Sequence, residues 1–127
     1  MHEQHLYEYA VIRVVPRVER EEFVNIGLML FCKRQKYLRI EYFIEPKKIM
    51  SICSEFDIDQ LKENVDSFVK IGSGKKEGGP IAAFDIAERF RWLTAVKSSS
   101  IQTSRPHSGF SQDLDATFEK LYSELVL

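Results

Sequence analysis

At 127 residues, with 44% hydrophobic and 29% charged side chains and a formal net charge of −1, the chain has the size and composition of one globular domain spanning 1–127. It is long enough to bury a core without a metal or disulfide staple, and too evenly charged to be drawn as a whole to nucleic acid or anionic lipid. Cys32 and Cys53 lack the paired spacing of a zinc site or a disulfide framework. The expectation is therefore a reduced, cytoplasmic protein with no metal and no cofactor.

Residues 6–15 are rich in Tyr, Val and Ile and predict a first strand, stopped by Pro16. It is apolar on both faces, which predicts a central place in a sheet. A charged loop, 17–22, leads to a second strand over 23–32. Its even-numbered residues, Val24, Ile26, Leu28, Leu30 and Cys32, form an unbroken apolar row, and this is the face expected to be buried. A short polar turn at Lys33–Lys36 leads to a third strand over 37–44, with Leu38, Ile40, Tyr42 and Ile44 inward and Arg39 and Glu41 outward. Residues 47–53 suggest a short helix. Asp57 with Gln60 three residues on opens a helix over 57–71, with Gly72 at its stop.

Residues 72–80, GSGKKEGGP, predict a flexible connector. A P-loop is excluded there, because the Gly-Lys-Ser/Thr spacing is absent. Asp85 with Glu88 marks a helix over 84–93. The polar stretch that follows holds a fourth, edge strand near 97–104, and a final helix runs over 113–125 with Leu114, Phe118, Leu121, Tyr122 and Leu125 on its apolar face. The fold expected is α+β: an antiparallel sheet of three or four strands with its three helices packed on one face. The longest apolar run, Ile26–Cys32, is far short of the roughly 20 residues that span a bilayer. The opening MHEQHLYEYA is read as no secretory leader.

Two polar residues interrupt the apolar runs: Arg13 in the first strand and Asn25 in the second. In a hairpin centred on Glu19, residue 13 faces residue 25 and both side chains share a face. Arg17 and Glu22 sit at the mouth of that hairpin. A guanidinium on an apolar face must be paired or must line a cavity. The pattern thus describes either a small anion-binding or partner-binding cleft, or a structural clamp holding the loop. Gly27, on the same odd-numbered row, leaves room for a bulky group.

A second constellation is Arg105-Pro106-His107-Ser108-Gly109. It is an acid/base or phosphate-contact candidate, and equally the composition of a tight turn. Arg89 to Trp92 interleaves cations with aromatics, as nucleic-acid-stacking surfaces do, although Phe90 also fits a buried helical stripe. His2 and His5 lack a third ligand and make no metal site.

The strings Y-E-Y-A-V-I-R-V-V-P (7–16), R-E-E-F-V-N-I-G (20–27) and L-F-C (30–32) resemble those of a bacterial family, domain-of-unknown-function family 3037. Further matches are G-P-I-A (79–82), R-F-R-W-L (89–93) and P-H-S-G (106–109). The resemblance covers nearly the whole chain and places Arg13, Glu22, Asn25, Gly27, Arg91, Trp92, His107 and Gly109 at motif positions. It implies no activity. It implies a partner protein, since genes of the family are associated with kinase-like proteins of the HipA type. Where the family commonly has Gly after the loop arginine, this chain carries Glu21.

Three functions follow as expectations. The first is a non-catalytic accessory or interaction module for a HipA-type kinase-like protein. The second is a small metal-independent enzyme or binding protein for a phosphate-containing ligand, with Arg13, Arg17, Arg91 and Arg105 holding the anion and His107 as acid/base. The third is a nucleic-acid-binding module using the hairpin loop and Arg89–Trp92. An exposed strand over 37–44 would also allow a homodimer.

Overall fold

The computed structural model describes residues 3–95 and 100–127. Among these residues the architecture is α+β, with five antiparallel strands and four α-helices. The central strand β1 (His5–Arg17) pairs with β2 (Glu22–Cys32), and β2 pairs with the edge strand β3 (Tyr37–Tyr42). On its other side β1 carries two short strands end to end. β4 (Ile101–Thr103) lies against its second half and β5 (His107–Ser111) against its first. The two act as one edge strand broken at Ser104–Pro106. Ser104 bridges the break: its N–H donates to the Val11 carbonyl at 2.8 Å, and its Oγ accepts from the Val11 N–H at 2.9 Å. The edge strand expected near 97–104 is thus β4 with β5 beyond it; 97–99 lie outside the described residues.

β1 runs through Pro16 instead of ending there. The register with β2 is irregular between Val14 and Arg17. Pro16 therefore sits where no ladder bond is required of its missing N–H.

The helices do not share one face. α1 (Pro46–Met50), α2 (Ile58–Ser73) and α3 (Ile86–Thr94) cover the side formed by Ala10, Ile12, Val14, Ile26, Met29 and Phe31. There the rings of Phe31 and Phe90 stack with centroids 4.8 Å apart. The last helix, α4 (Leu114–Leu125), covers the opposite side, where Leu114 and Phe118 meet Val11, Leu28, Leu30 and Cys32. Central strands that are apolar on both faces need cover on both.

The even-numbered row of β2 is likewise split. Ile12 pairs with Gly27 and Arg13 with Asn25, so Ile26 is an extra residue. This bulge reverses the alternation. Val24 and Ile26 face the α2–α3 layer, while Leu28, Leu30 and Cys32 face α4. Gly27 leaves the Asn25 face by the same reversal. A Cβ there would lie 2.8 Å from the Glu41 carbonyl oxygen and 3.1 Å from Ile12 Cδ1. Its missing side chain admits the backbone of β3 and the tip of Ile12, not a helix aromatic.

Helix termini follow the capping chemistry of the sequence. Asp57 Oδ1 accepts from the Gln60 N–H at 3.0 Å, Asp85 Oδ1 from Glu88 at 2.8 Å, and Asp113 Oδ1 from Ala116 at 3.1 Å. The stop of α2 is Gly74, in the left-handed region at φ 76°. Gly72 is instead buried inside the helix, facing Ile40 and Leu93. The connector after it carries two short 3₁₀ turns, Lys76–Gly78 and Pro80–Ala83, the first packed against α2.

Candidate functional site

Arg13 stands opposite Asn25 on β2 and opposite Gln102 on β4. All three side chains point to the α4 side of the sheet, beyond the C-terminal end of that helix. The Arg13 guanidinium lies over the Phe23 ring, its Cζ 4.1 Å from the centroid. Its Nε is buried and has no hydrogen-bond partner among the described residues. Arg13, Val15, Glu21, Phe23 and Gln102 line a shallow cleft of about 370 Å³. Asn25 does not open into that cleft. Its Nδ2 donates to the Leu125 carbonyl at 3.1 Å, tying β2 to the last turn of α4, while its Oδ1 is buried without a partner.

At the hairpin mouth Arg17 lies opposite Glu22 in register. Glu22 forms its ion pair with Arg20 instead. Arg17 is fully exposed and turns toward Cys53. A hydrogen bond with that thiol is the main influence raising its pKa above the ordinary guanidinium value, helped by Glu19 and Glu55.

The other candidates stand elsewhere. Arg91 and Trp92 lie on α3, against the opposite face of the sheet from Arg13. Arg91 shares a cleft of about 550 Å³ with Lys33, Lys36, Asp85, Glu88 and Arg89. Trp92 borders a cleft of about 300 Å³ between α2, α3 and β4. Arg105 is exposed in the break between β4 and β5. His107 is not in a loop. It begins β5, pairs with Tyr9, and sets its ring 5.3 Å from the Tyr9 ring. Tyr9 and Arg13 are four residues apart on one strand, roughly 13 Å. The structure thus brings Arg13 and Asn25 together, and does not bring Arg91, Trp92 or His107 to them. Among the described residues no group of three His, Cys, Asp or Glu side chains is placed to hold a metal ion, and no helix is long and apolar enough to cross a membrane.

The sequence matches the family described as "Protein of unknown function (DUF3037)" over residues 9–126. The chain belongs to the DUF3037 family. No curated protein and no solved structure matches it.

The best-connected polar group of this DUF3037 chain was not among the expected site residues. Arg39, expected to face solvent, lies under α4. Its Cζ is 4.2 Å from the Phe118 ring centroid, and its N–H groups donate to Glu41, to Asp115 at 3.2 Å and to Glu119. Burial opposes its charge, but its contacts with Glu119, Glu41 and Tyr37 hold it firmly protonated. Tyr37 Oη donates to Asp115 at 2.6 Å, and burial together with that bond pushes its phenol up to about 12. Burial and the charges of Glu41 and Glu119 also raise Tyr122. The signal was present: alternate positions 37, 39 and 41 of a strand match acidic positions 115 and 119 one helical turn apart. In this chain the cluster fastens α4 to the sheet.

A second unexpected feature lies on the other face. Leu6 and Phe110 are cross-strand partners at the start of β1, exposed at 56% and 68%. With Gln4, Lys33 and Arg34 they line a cleft of about 510 Å³.

Proposed function

We propose that this domain is a non-catalytic interaction module that receives a segment of a partner protein along β5, the partner being a HipA-type kinase-like protein, as the family resemblance implies. The observation that carries the reading is the exposed Leu6–Phe110 pair beside Lys33 and Arg34. Two large apolar side chains, one on the edge strand β5 and one on β1 beside it, rimmed by cations, suit an extended segment that alternates apolar with acidic residues. β5 pairs only with β1 among the described residues, so its outer edge is open to one more strand. The scatter of the arginines and His107 over two faces of the sheet supports this reading over a phosphate-processing enzyme, which needs its groups convergent. Around Arg89 and Arg91 the carboxylates Asp85 and Glu88 offset only part of the basic charge, which Lys33 and Lys36 extend, but Arg89 is occupied in donating to the Phe84 carbonyl at 2.9 Å. With a net charge of −1 on the chain, that favours a protein over a nucleic-acid partner.

The test is co-elution and calorimetric titration with the purified kinase-like protein of the same host. Micromolar binding is expected, weakened at least about tenfold in Leu6→Ser/Phe110→Ser. Binding that the double variant leaves untouched, or no binding at all, defeats the proposal. Salt-sensitive binding to DNA or RNA in its place would revive the nucleic-acid reading.

A further inference from the structure

A cation placed on an apolar sheet face has a counter-ion in most folds. Arg13 has no ion pair and no Nε partner among the described residues, although that Nε is buried. What it does have is the ring of Phe23, which is held 46% exposed at the lip of the cleft. The stacking offsets part of the cost of burying the charge. It leaves the buried Nε without a hydrogen-bond partner in a guanidinium that lines the cleft.

Glu21 also lines this cleft. Its backbone is at φ 56°, in the left-handed region that favours Gly, yet a carboxylate-bearing residue stands there. One cation, one carboxylate and one aromatic face therefore line a cleft of about 370 Å³. That volume is at the small end of ligand sites. The formal charges of Arg13 and Glu21 cancel, so the walls carry no surplus positive charge for a phosphate dianion. A zwitterion matches both charges: its carboxylate can take the planar fork of Arg13, its ammonium the Glu21 carboxylate. Gln102, opposite Arg13 in register, adds an amide to the wall.

We propose that the Arg13–Glu21–Phe23 cleft binds the zwitterionic head of a small amino-carboxylate such as a free amino acid. The site lies on the other face of the sheet from Leu6 and Phe110, and it stands or falls independently of the docking edge.

The experiment is a ¹H–¹⁵N NMR titration following the Arg13 Nε–H signal and the amides of Glu21 and Phe23. The probes are L-alanine, L-phenylalanine, propionate, ethylamine and inorganic phosphate. The amino acids should give saturable shifts with millimolar affinity, and propionate, ethylamine and phosphate should each bind at least about fivefold more weakly. Glu21→Gln, at an exposed position, should erase the preference for L-alanine over propionate. Arg13→Gln should abolish both, and Arg13→Lys, which keeps the charge, should retain weakened binding. No saturable shift from either amino acid, phosphate binding tighter than L-alanine, or an L-alanine preference that survives Glu21→Gln would each overturn the proposal.

Discussion

Asn25 of β2 donates through Nδ2 to the carbonyl oxygen of Leu125, 100 residues away in sequence. The bond satisfies one of the last carbonyls of α4, which has no partner within its own helix. It also ties the C-terminal end of α4 to β2. Asn25→Ala should lower stability by about 1 kcal/mol, since a half-buried bond is lost while the orphaned Oδ1 is removed with it. The loss should be local first. Hydrogen exchange of the amides near Tyr122 to Val126 should quicken more than exchange in β2. Uniform acceleration across the sheet would contradict the assignment.

Arg39 is the hub that holds the other end of α4. Its side chain is 27% exposed and its carboxylate partners are 45% to 71% exposed, so each pair alone is worth little. The stacking on Phe118 adds a contribution that salt does not screen. Arg39→Met keeps the apolar stem and removes the charge. It should cost about 1–2 kcal/mol in urea denaturation. In 1 M salt the gap between variant and parent should shrink without closing. A gap that closes entirely would assign the whole effect to the ion pairs.

Much of this was readable beforehand. Strand and helix positions follow from periodicity, and the aspartate caps at Asp57 and Asp85 from side-chain chemistry; the cap at Asp113 is seen only in the structure. The Arg13–Asn25 pairing came from counting back from Glu19. What escaped the reading was a single bulge. One extra residue at Ile26 sends Leu28, Leu30 and Cys32 to the other face, and no local signal distinguishes such a row from a straight one. A straight row puts every helix on one side and Arg39 in solvent, whereas α2 and α3 cover Val24 and Ile26, and α4 covers Leu28, Leu30, Cys32 and Arg39. β5 was missed because Pro106 and Gly109 read as a turn. The strand survives since Tyr7 lies over Gly109, where an added Cβ would come within 2.5 Å of its Oη. Of the expected site, the part set by hairpin register was legible. The part that needed α3, β4 and β5 placed in space was not.

Three backbone positions separate strain from close approach. Glu21 at φ 56° occupies a region that L-residues enter at a cost of about 1–2 kcal/mol, so Glu21→Gly should raise stability by up to about 1 kcal/mol. Gly27→Ala should be destabilising by about 2–3 kcal/mol, because the new Cβ meets a carbonyl of β3 that cannot withdraw without opening the β2–β3 ladder. At Gly72 a Cβ meets the ends of the Ile40 and Leu93 side chains, which can rotate. The gain in helix propensity of about 1 kcal/mol offsets that repacking, and Gly72→Ala should be near neutral. Thermal denaturation of the three variants should rank Glu21→Gly above Gly72→Ala above Gly27→Ala. A Gly27→Ala variant as stable as the parent would mean that β3 does not approach so closely.

Alkaline unfolding should begin at the α4 layer. Burial and its bond to Asp115 push the Tyr37 phenol up to about 12 from the ordinary 10.0, and burial also raises Tyr122 and Tyr7. A folded pKa above the unfolded one means that the native state holds the proton more tightly. The resulting stability is complete below pH 10 and is lost as pH rises from 10 toward 12. Above pH 10 the unfolded chain would release phenolic protons that the folded chain keeps, so stability must fall with pH in that window. Tyr37→Phe removes the proton and the bond together. It should lower stability by about 1 kcal/mol at pH 7 and flatten the decline between pH 10 and 12. Tyrosinate absorbance and far-ultraviolet circular dichroism, followed together through the titration, supply the check: in the parent the last tyrosines should ionise only as helix content drops. Full tyrosine ionisation with the helices intact would place these phenols in solvent, outside the contacts that fasten α4 to the sheet.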